Sequence, residues 1–320
     1  MKLLLVKTSS MGDVIHTFPA VTDALRAVPG LTLDWCVEEP FAELVALHPG
    51  VRTIHKVAMR RWRKAPLSPA TWTAVREISR ALKAERYDLV LDAQGLMKSL
   101  FLARLAAAPV AGFDRGSVRE PLAALGYART HAVPRDLHAI ARTRLLFGAA
   151  LGYTPDLARL DNGIVPPAAT TRPHGARTAF LLHGTSRDDK KWPLPSWIET
   201  AAALAARGRT PVTTWSNEAE RGVAEAIAAA VPQTVVLPKS PLASIAGEIG
   251  RASLVVGADT GLTHLASAFG LPTVAIFLAS EPGLTGPMGP RAVSLGAEKN
   301  TAGVTPAAVL EACREQMAAR

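Results

Sequence analysis

Residues 254–269 read LVVGADTGLTHLASAF and predict a complete strand–loop–helix unit. The first four residues are apolar or small, as in a strand buried on both faces of a sheet. Asp259, Thr260 and Gly261 form a short polar turn. The apolar residues after it recur at the three- and four-residue spacing of an amphipathic helix. Units of this kind build parallel sheets covered by helices.

The same alternation extends along the chain in both directions. Strands are predicted at residues 3–6, 31–37, 53–57, 88–92, 110–113, 178–182, 211–215, 234–237, 254–257 and 273–277. Helices are predicted at residues 14–27, 70–84, 96–107, 119–127, 137–151, 195–206, 218–230, 242–250, 262–269 and 306–317. The pattern predicts an α/β fold of two doubly wound parallel sheets with a cleft between them. Ligands of such sheets bind at the carboxyl ends of the strands, so functional residues are expected in the loops that follow.

A linker separates the two halves. Residues 153–173 contain four prolines and an Asn-Gly pair, with little periodicity, which is typical of a connecting segment. We therefore expect an N-terminal domain at residues 1–160, a linker at 161–175 and a C-terminal domain at 176–320. The last helix is free to pack back on the N-terminal domain.

The formal net charge of +9 is concentrated in one half. Residues 1–160 contain 22 Lys and Arg against 14 Asp and Glu, whereas residues 161–320 contain 14 against 13. A basic half beside a neutral half indicates that one domain meets a polyanion. Nucleic acid, an anionic membrane surface and a phosphorylated substrate are the candidates.

Cysteine content and hydropathy predict a cytoplasmic protein. Cys36 and Cys313 are the two cysteines and lie far apart in sequence, so a disulfide framework is not expected. The N-terminal apolar run is too short for a signal peptide. No apolar stretch reaches the roughly 18 residues that a membrane-spanning helix needs.

The loop after the first strand, residues 7–13, reads KTSSMGD. Its small residues let backbone N–H groups approach an anion or a sugar at the start of the next helix. Lys7 and Ser10 belong to this loop. Asp13 has two interpretations: an N-cap that stabilises the helix, or a carboxylate that removes a proton from an incoming hydroxyl.

The segment 60–64, RRWRK, places four cations in five residues after the third strand. One interpretation is a solvated surface loop. The other is a clamp for phosphate or carboxylate, which arginine side chains bind well. The clamp would consist of Arg60, Arg61, Arg63 and Lys64. Three further residues near predicted helix starts extend the same basic set: Lys98, Arg119 and His138.

In the second half, residues 185–193 read TSRDDKKWP and follow the first strand. Thr185, Ser186 and Lys190 provide hydroxyls and a cation for a diphosphate, ahead of a helix started by proline. The Asp188-Asp189 pair lacks a third metal ligand, and the chain has no Asp-x-Asp sequence. We therefore expect protein cations, and no bound metal, to stabilise the leaving-group charge.

The turn at residues 259–261 offers a second phosphate contact. Thr260 and Gly261 open a helix whose free N–H groups favour a phosphate. Asp259 would repel that phosphate and is expected to contact sugar hydroxyls. An ordinary cap with a packed His264 is the structural alternative. Two weaker candidates are Glu220, for ribose hydroxyls or as a helix-start acid, and Ser240, for the nucleobase.

Taken together, these motifs resemble a known family. KTSSMGD, RRWRK, DAQG at 92–95, REPL at 119–122, TSRDDKKWP and DTGLTHLA are similar to segments of the ADP-heptose-dependent lipopolysaccharide heptosyltransferases, along essentially the whole chain. RRWRK and the RDDKxWP pattern resemble the type I enzymes rather than type II. The resemblance implies the GT-B fold of two Rossmann-like domains.

The resemblance also implies an activity: transfer of L-glycero-D-manno-heptose from ADP-heptose to the first Kdo of Kdo2-lipid A, with inversion and without a required metal or other cofactor. It implies a peripheral enzyme on the cytoplasmic face of the inner membrane. Asp13 would be the general base, Lys190, Thr185 and Ser186 would bind the ADP phosphates, and Glu220 the ribose. Thr260 and Gly261 would bind phosphate through backbone groups, and Asp259 would bind heptose.

Two positions depart from the family pattern. Ser216 stands where a glycine is usual, and Ser240 replaces a frequent methionine. Both departures affect the nucleobase side of the donor site. Other function classes fit less well. A nucleic-acid-binding protein lacks support because aromatics do not interleave with the basic residues. A sugar-nucleotide epimerase would require a GxGxxG fingerprint, which is not present.

Overall fold

The computed structural model describes residues 1–169, 177–185, 187–296 and 304–318. The chain divides into two compact units, Met1–Ile164 and Val165–Arg320. The division falls within the segment 161–175 that was expected to be a linker. Within the described ranges, no helix has the length and apolar character needed to cross a membrane.

The N-terminal domain contains a six-stranded parallel sheet. The strands are β1 (Lys2–Val6), β2 (Thr32–Glu38), β3 (Val51–Val57), β4 (Leu89–Asp92), β5 (Val110–Phe113) and β6 (Arg129–His131). The helices are α1 (Met11–Ile15), α2 (Phe18–Ala27), α3 (Ala42–Val45), α4 (Met59–Lys64), α5 (Pro69–Ala84), α6 (Met97–Arg104) and α7 (Ala139–Leu151), with 3₁₀ turns at Glu39–Phe41 and Pro121–Gly126. The strand order is β3-β2-β1-β4-β5-β6. The order reverses between β1 and β4, where such sheets bind their ligands.

The C-terminal domain repeats this topology. Its strands are β7 (Thr178–Leu182), β8 (Thr210–Thr213), β9 (Val235–Val236), β10 (Leu254–Ala258), β11 (Thr273–Ile276) and β12 (Ala292–Leu295). Its helices are α8 (Leu194–Ala206), α9 (Glu218–Ala230), α10 (Leu242–Gly250), α11 (Gly261–Ala268), α12 (Pro282–Thr285) and α13 (Pro306–Ala318), with a 3₁₀ turn at Asp188–Lys190. The strand order β12-β11-β10-β7-β8-β9 reverses between β7 and β10. Helix α13 packs against α8 and β10, β11 and β12 of the same domain.

The central strands are buried on both faces. Leu3, Leu4, Leu5 and Val6 of β1 are fully buried, and β1 pairs in parallel with β2 and β4. Such strands read as continuous apolar runs because helices cover both faces of the sheet. This is why the apolar segments before the motifs were visible in the sequence.

Three predicted elements differ from the structure. The helix expected at 14–27 is two helices, because Pro19 is tolerated in the first turn of α2 but would break a continuous helix. The helix expected at 119–127 is the shorter 3₁₀ turn Pro121–Gly126. RRWRK, for which a surface loop was one of two interpretations, forms most of helix α4.

Candidate functional site

The switch point of the N-terminal domain holds the loops after β1 and β4 against each other. The Lys7 ammonium donates a hydrogen bond to the Ala93 carbonyl at 3.1 Å. The backbone N–H groups of Thr8 and Ser9 donate to the Gln94 Oε1 at 3.0 and 3.2 Å. The KTSSMGD and DAQG segments therefore form one hydrogen-bonded unit at the carboxyl edge of the sheet.

Asp13 lies in the first turn of α1 and faces this unit. The N-cap of α1 is Ser10, so the interpretation of Asp13 as the N-cap is wrong by three positions. The Asp13 Oδ2 accepts hydrogen bonds from the Ser10 backbone N–H at 2.7 Å and the Ser10 hydroxyl at 3.0 Å. The Lys7 ammonium lies 3.5 Å from Oδ1. A third of the Asp13 side chain is exposed, which leaves it accessible to a ligand.

The Asp13 carboxyl is ionised at neutral pH. Burial acts to raise its pKa, but the Lys7 ammonium and the hydrogen bonds from Ser10 outweigh burial and lower the pKa below its ordinary value. A carboxylate held in one orientation by two donors and a cation can accept a proton from a hydroxyl placed beside its exposed oxygen.

Helix α4 presents cations around a buried tryptophan. Trp62 is 7 % exposed and packs into the domain core. The four basic residues are exposed, namely Arg60, Arg61, Arg63 and Lys64. The Arg61 guanidinium forms an exposed ion pair with Glu39 at 3.3 Å, whose contribution to stability is small. Trp62 thus fixes the helix while its charged neighbours remain available to solvent.

Glu38, the last residue of β2, connects α4 to the Asp13 loop. Its N–H donates to the Thr8 carbonyl at 3.2 Å, and its carboxyl is close enough to Arg60 of α4 for that residue to act on its pKa. Burial raises the pKa of this carboxyl, against the lowering effect of Arg60 and Lys98. Its Oε1 is buried and has no hydrogen-bond partner in the described part of the chain.

Lys98 and Arg119 lie in the same neighbourhood. The Lys98 ammonium lies 3.4 Å from the Ser9 hydroxyl, to which it donates. Arg119 is exposed and lies beside the loop after β4, because the N–H of the next residue, Glu120, donates to the Gly95 carbonyl at 3.0 Å. Both residues therefore border the unit formed by the two switch-point loops.

His138 is the N-cap of α7. Its Nδ1 accepts a hydrogen bond from the Ile140 N–H at 3.2 Å. Its ring packs edge-on against that of His16, with centroids 5.5 Å apart. Since His16 directly follows α1, His138 lies at the far end of the short helix that carries Asp13.

The switch point of the C-terminal domain centres on Asp259, which follows β10. The Lys190 ammonium donates to the Asp259 Oδ2 at 2.6 Å, and the Ser280 hydroxyl donates to the same oxygen. The His264 Nε2 lies 3.6 Å from Oδ1, and the Thr185 hydroxyl donates to the Asp259 carbonyl at 3.4 Å. Four of the residues predicted to bind the sugar-nucleotide donor therefore form one cluster. Ser280, which was not predicted, also belongs to it.

Charge at this cluster is nearly balanced. Burial acts to raise the pKa of Asp259, but hydrogen bonds from His264, Lys190 and Ser280 and the Lys190 charge lower it well below its usual range. The Lys190 and Asp259 side chains are 18 % and 11 % exposed. Thr260 is the extended N-cap of α11, and Gly261 is its first residue. The helix start therefore has N–H groups without helical partners beside a lysine.

Glu220 lies in the first turn of α9 beside a cavity of about 320 Å³. Its Oε2 accepts hydrogen bonds from the Ser216 N–H at 2.7 Å and the Ser216 hydroxyl at 2.8 Å. The cavity is lined by Thr185 and Glu220, which were predicted to contact the diphosphate and the ribose, and by the rings of Trp192 and Trp197. A small apolar cavity with a few polar groups is typical of a ligand site.

Of the two remaining candidates, only Ser240 lies in the described part of the chain, and it is not part of these clusters. The Ser240 hydroxyl donates to the Pro238 carbonyl at 2.9 Å and lies on the surface. Ser186 falls outside the described residues. Nearby, the Trp215 ring is flanked by the Arg221 guanidinium at 5.4 Å and the Lys239 ammonium at 5.9 Å.

Comparison with known proteins shows which family the chain belongs to. Residues 75–308 match the family described as glycosyltransferase family 9 (heptosyltransferase). The chain is 45 % identical over 302 residues to lipopolysaccharide heptosyltransferase 1 of Pseudomonas aeruginosa, covering 93 % of this chain and 84 % of the relative. The chain belongs to glycosyltransferase family 9. Its membership makes it a glycosyltransferase, as the sequence motifs predicted.

Solved structures similar to this family 9 chain have the same fold. The Escherichia coli heptosyltransferase WaaC with ADP superimposes with a TM-score of 0.90 at 39 % identity, over 99 % of this chain and all of that one. WaaC with ADP-2-deoxy-2-fluoro heptose has a TM-score of 0.88 at 38 % identity, over 98 % and 99 % of the two chains. The predicted GT-B fold, with two Rossmann-like α/β domains, is confirmed.

Three residues of this glycosyltransferase were missed in the sequence. Glu38 is the last residue of β2 and Ser280 lies shortly after β11, so the rule that ligands bind at the carboxyl ends of strands could have identified both. His183 directly follows β7, lines the cavity beside Glu220 and has a buried Nε2 with no partner among the described residues. Burial lowers the pKa of His183, against the opposing effect of Glu220, so the imidazole is neutral at neutral pH.

Proposed function

We propose that this chain transfers L-glycero-D-manno-heptose from ADP-heptose to the first Kdo of Kdo2-lipid A, with inversion at the anomeric carbon. One observation carries the proposal: each domain places its charged residues at the switch point of its own sheet. The N-terminal domain has an ionised carboxylate bordered by cations. The C-terminal domain has a lysine beside a helix start.

The donor half of the proposal assigns ADP-heptose to the C-terminal domain. Lys190 and the N–H groups at Thr260 and Gly261 bind the diphosphate, with Thr185 and Ser186 adding hydroxyls. Lys190 neutralises the charge that develops on ADP, without a required metal. Support comes from the E. coli WaaC structures with ADP and with ADP-2-deoxy-2-fluoro heptose.

The sugar and nucleoside are held by other residues of the same domain. Asp259 and His264 contact the heptose hydroxyls, and Glu220 accepts hydrogen bonds from the ribose hydroxyls. Ser240 lies on the nucleobase side. Repulsion between the Asp259 carboxylate and the donor phosphates is reduced, because the carboxylate forms an ion pair with Lys190 and accepts a hydrogen bond from Ser280. It therefore does not meet the phosphates as an isolated negative charge.

The acceptor half assigns Kdo2-lipid A to the N-terminal domain. Lys7, Ser10 and Lys98 surround the reacting sugar. Arg119, His138 and the cations of α4 bind the carboxylates and phosphates of the acceptor. The Kdo hydroxyl oxygen forms a bond to the anomeric carbon of heptose as the bond from that carbon to the ADP oxygen breaks. The hydroxyl proton passes to the Asp13 carboxylate.

Localisation follows from the acceptor. Kdo2-lipid A is anchored in a membrane, and the excess positive charge of residues 1–160 would attract an anionic leaflet. We therefore propose peripheral association with the cytoplasmic face of the inner membrane.

Mass spectrometry of the acceptor tests the proposal directly. Purified protein is incubated with ADP-heptose and Kdo2-lipid A, and one added heptosyl unit is expected. In a parallel reaction the acceptor already carries one heptose, as a type II enzyme would require. A product in the second reaction alone would overturn the assignment of type I activity.

The α4 cations provide a prediction about the acceptor. Replacing Arg63 or Lys64 with alanine is expected to raise the acceptor KM by about tenfold, the effect of losing one charge-assisted hydrogen bond at the lower end of its range, roughly 1.5 kcal/mol. The KM for ADP-heptose should change little. Arg76→Ala, an exposed cation on α5, is the matched control. Equal acceptor KM values for all variants would contradict a clamp on α4.

Gly184 provides a prediction about the donor. A methyl group at this position would lie 2.9 Å from the Glu220 Cδ and about 3 Å from its carboxylate oxygens. Gly184→Ala is therefore expected to displace the carboxylate from Ser216 and raise the Kd for ADP by about tenfold, equivalent to roughly 1.4 kcal/mol. Calorimetric titration measures this change.

Gly222→Ala is the control for that substitution, because the added methyl group has no neighbour within 4 Å beyond the adjacent residues and the backbone of its own helix. Gly222 lies inside α9, where alanine is favoured over glycine by roughly 0.5–1 kcal/mol. This variant should bind ADP normally and unfold at a slightly higher temperature. An unchanged Kd in Gly184→Ala would remove Glu220 from the ribose site.

A further inference from the structure

Four large apolar side chains are exposed together on the N-terminal domain. Met97 and Phe101 on α6 are 45 % and 38 % exposed, and Leu122 and Leu125 of the 3₁₀ turn are 65 % and 74 % exposed. Single exposed apolar residues are ordinary on a protein surface, whereas a contiguous group marks an interaction site. We call this group the apolar patch.

The two elements that carry the patch, α6 and the 3₁₀ turn Pro121–Gly126, pack against each other. Met97 and Phe101 are four residues apart and share one face of α6. Leu122 and Leu125 are three residues apart, a spacing that aligns side chains in a 3₁₀ helix. The Met97 N–H donates to the Glu120 carboxylate at 2.7 Å, which places the start of α6 beside the start of the 3₁₀ turn.

Three exposed arginines lie on or next to the two elements that carry the apolar patch. Arg104 follows Phe101 by three residues on α6 and is exposed. Arg119 and Arg129 precede and follow the 3₁₀ turn and are also exposed. The acidic residue Glu120 is engaged with the N–H of Met97. Apolar side chains close to arginines fit the surface of an anionic bilayer. The apolar side chains can enter its interior while the arginines contact the negative headgroups.

The apolar patch also adjoins the predicted acceptor residues. Met97 is followed directly by Lys98, whose ammonium reaches the Ser9 hydroxyl in the Asp13 loop. Arg119 directly precedes Glu120. An acceptor whose sugar contacts Lys98 and Arg119 would have its lipid part close to the patch.

We propose that the apolar patch and its arginines form the surface by which this enzyme docks on an anionic lipid bilayer. The proposal rests on the proposed function, since a lipid-anchored acceptor explains why the patch lies beside Lys98 and Arg119. Docking by this face presents the switch point of the N-terminal domain to the membrane that holds the acceptor.

Vesicle flotation tests the proposal. Wild-type protein is mixed with vesicles of phosphatidylcholine and phosphatidylglycerol, or of phosphatidylcholine alone, with neither substrate present. We expect flotation with the anionic vesicles and a loss of at least tenfold in the L122E/L125E variant, because membrane affinity follows buried apolar area and charge attraction. Leu157→Glu, at a residue 43 % exposed outside the patch, should float like the wild type.

A second variant guards against misfolding as the cause of lost binding. M97Q/F101Q removes apolar area from α6 without adding charge, and it should also reduce flotation at a temperature where its melting curve shows that it is folded. R104E/R129E should reduce binding to anionic vesicles. Undiminished flotation of both apolar variants would overturn the proposal. So would a wild-type dimer that L122E/L125E converts to a monomer in the absence of vesicles.

Activity measurements separate this proposal from the proposed function. With Kdo2-lipid A dispersed in detergent, L122E/L125E should transfer heptose at the wild-type rate, whereas with acceptor embedded in anionic vesicles its rate should fall at least tenfold. If no variant transfers heptose in detergent, the proposed function fails while the flotation result stands. Equal rates for L122E/L125E and wild type on vesicles would contradict docking through the patch.

Discussion

Replacing Asp13 with asparagine is expected to lower kcat by about 10²–10⁴-fold, the usual contribution of a general base. The side-chain amide of the Asp13→Asn variant cannot take the proton from the Kdo hydroxyl, although it keeps the size of the carboxylate. ADP binding should not change, because the donor residues belong to the C-terminal domain. Initial rates with Kdo2-lipid A and calorimetric titration with ADP measure the two quantities.

Asparagine is preferred to alanine because Asp13 also stabilises α1. The Asp13 Oδ2 accepts hydrogen bonds from the Ser10 N–H and hydroxyl, and an amide oxygen can accept the same bonds. Asp13→Ala would lose them as well, at a cost of about 1 kcal/mol. Comparing the melting temperatures of the two variants therefore separates the helix role from the catalytic role.

Ser10→Ala is a milder substitution for comparison with the Asp13 variants. It removes the hydroxyl that donates to Asp13 at 3.0 Å and leaves the backbone bond at 2.7 Å. We expect a decrease in kcat of about tenfold, smaller than for Asp13→Asn, because the base remains but is oriented less well. Near-normal turnover in Asp13→Asn would exclude Asp13 as the base.

Local sequence patterns predicted most strands and helices because both sheets are buried. The fully buried runs of β1 and β10 have no polar interruptions, and the loops after them were recognisable by their small and charged residues. Two of the four edge strands, β6 and β12, were not predicted. β6 is short, polar and mostly exposed, and β12 is short, partly exposed and interrupted by Ser294, so neither forms a buried apolar run.

The composition of α4 did not indicate that this segment is a helix. Four of the five residues in RRWRK are charged, and local composition alone does not distinguish a short helix from a solvated loop. The helix is fixed by Trp62, which packs with Val57 and Val75 in the domain core. That contact depends on the neighbouring elements β3 and α5, so it could be found only in the folded domain.

The sequence indicated which residues belong to the candidate sites, but not which of them form ion pairs or hydrogen bonds with each other. Lys190 and Asp259 are 69 residues apart, and the sequence suggested separate partners for them, phosphate and sugar. The structure joins them at 2.6 Å because β7 and β10 are adjacent in the sheet. Strand order is a long-range property, and a single pass along the chain does not reveal which post-strand loops meet.

Lys190→Ala is expected to raise the Kd for ADP by about 10–100-fold, corresponding to the loss of a charge-assisted hydrogen bond of roughly 1.5–3 kcal/mol. The same variant should lower the free energy of unfolding by about 3 kcal/mol, the lower end of the range for removing one partner of a buried ion pair. The lower end applies because His264 and Ser280 still face Asp259. Calorimetry and urea unfolding measure the two effects.

A double variant separates the two roles of Lys190. In K190M/D259N the uncompensated carboxylate is absent, so most of the lost stability should return, while the phosphate still lacks its cation and ADP binding should remain weak. D259N alone should bind ADP at least as tightly as wild type, because a negative charge near the phosphates is removed, yet turn over more slowly because a heptose contact is lost. If K190A binds ADP normally, Lys190 serves only to neutralise Asp259, and the N–H groups at the start of α11 hold the diphosphate without it.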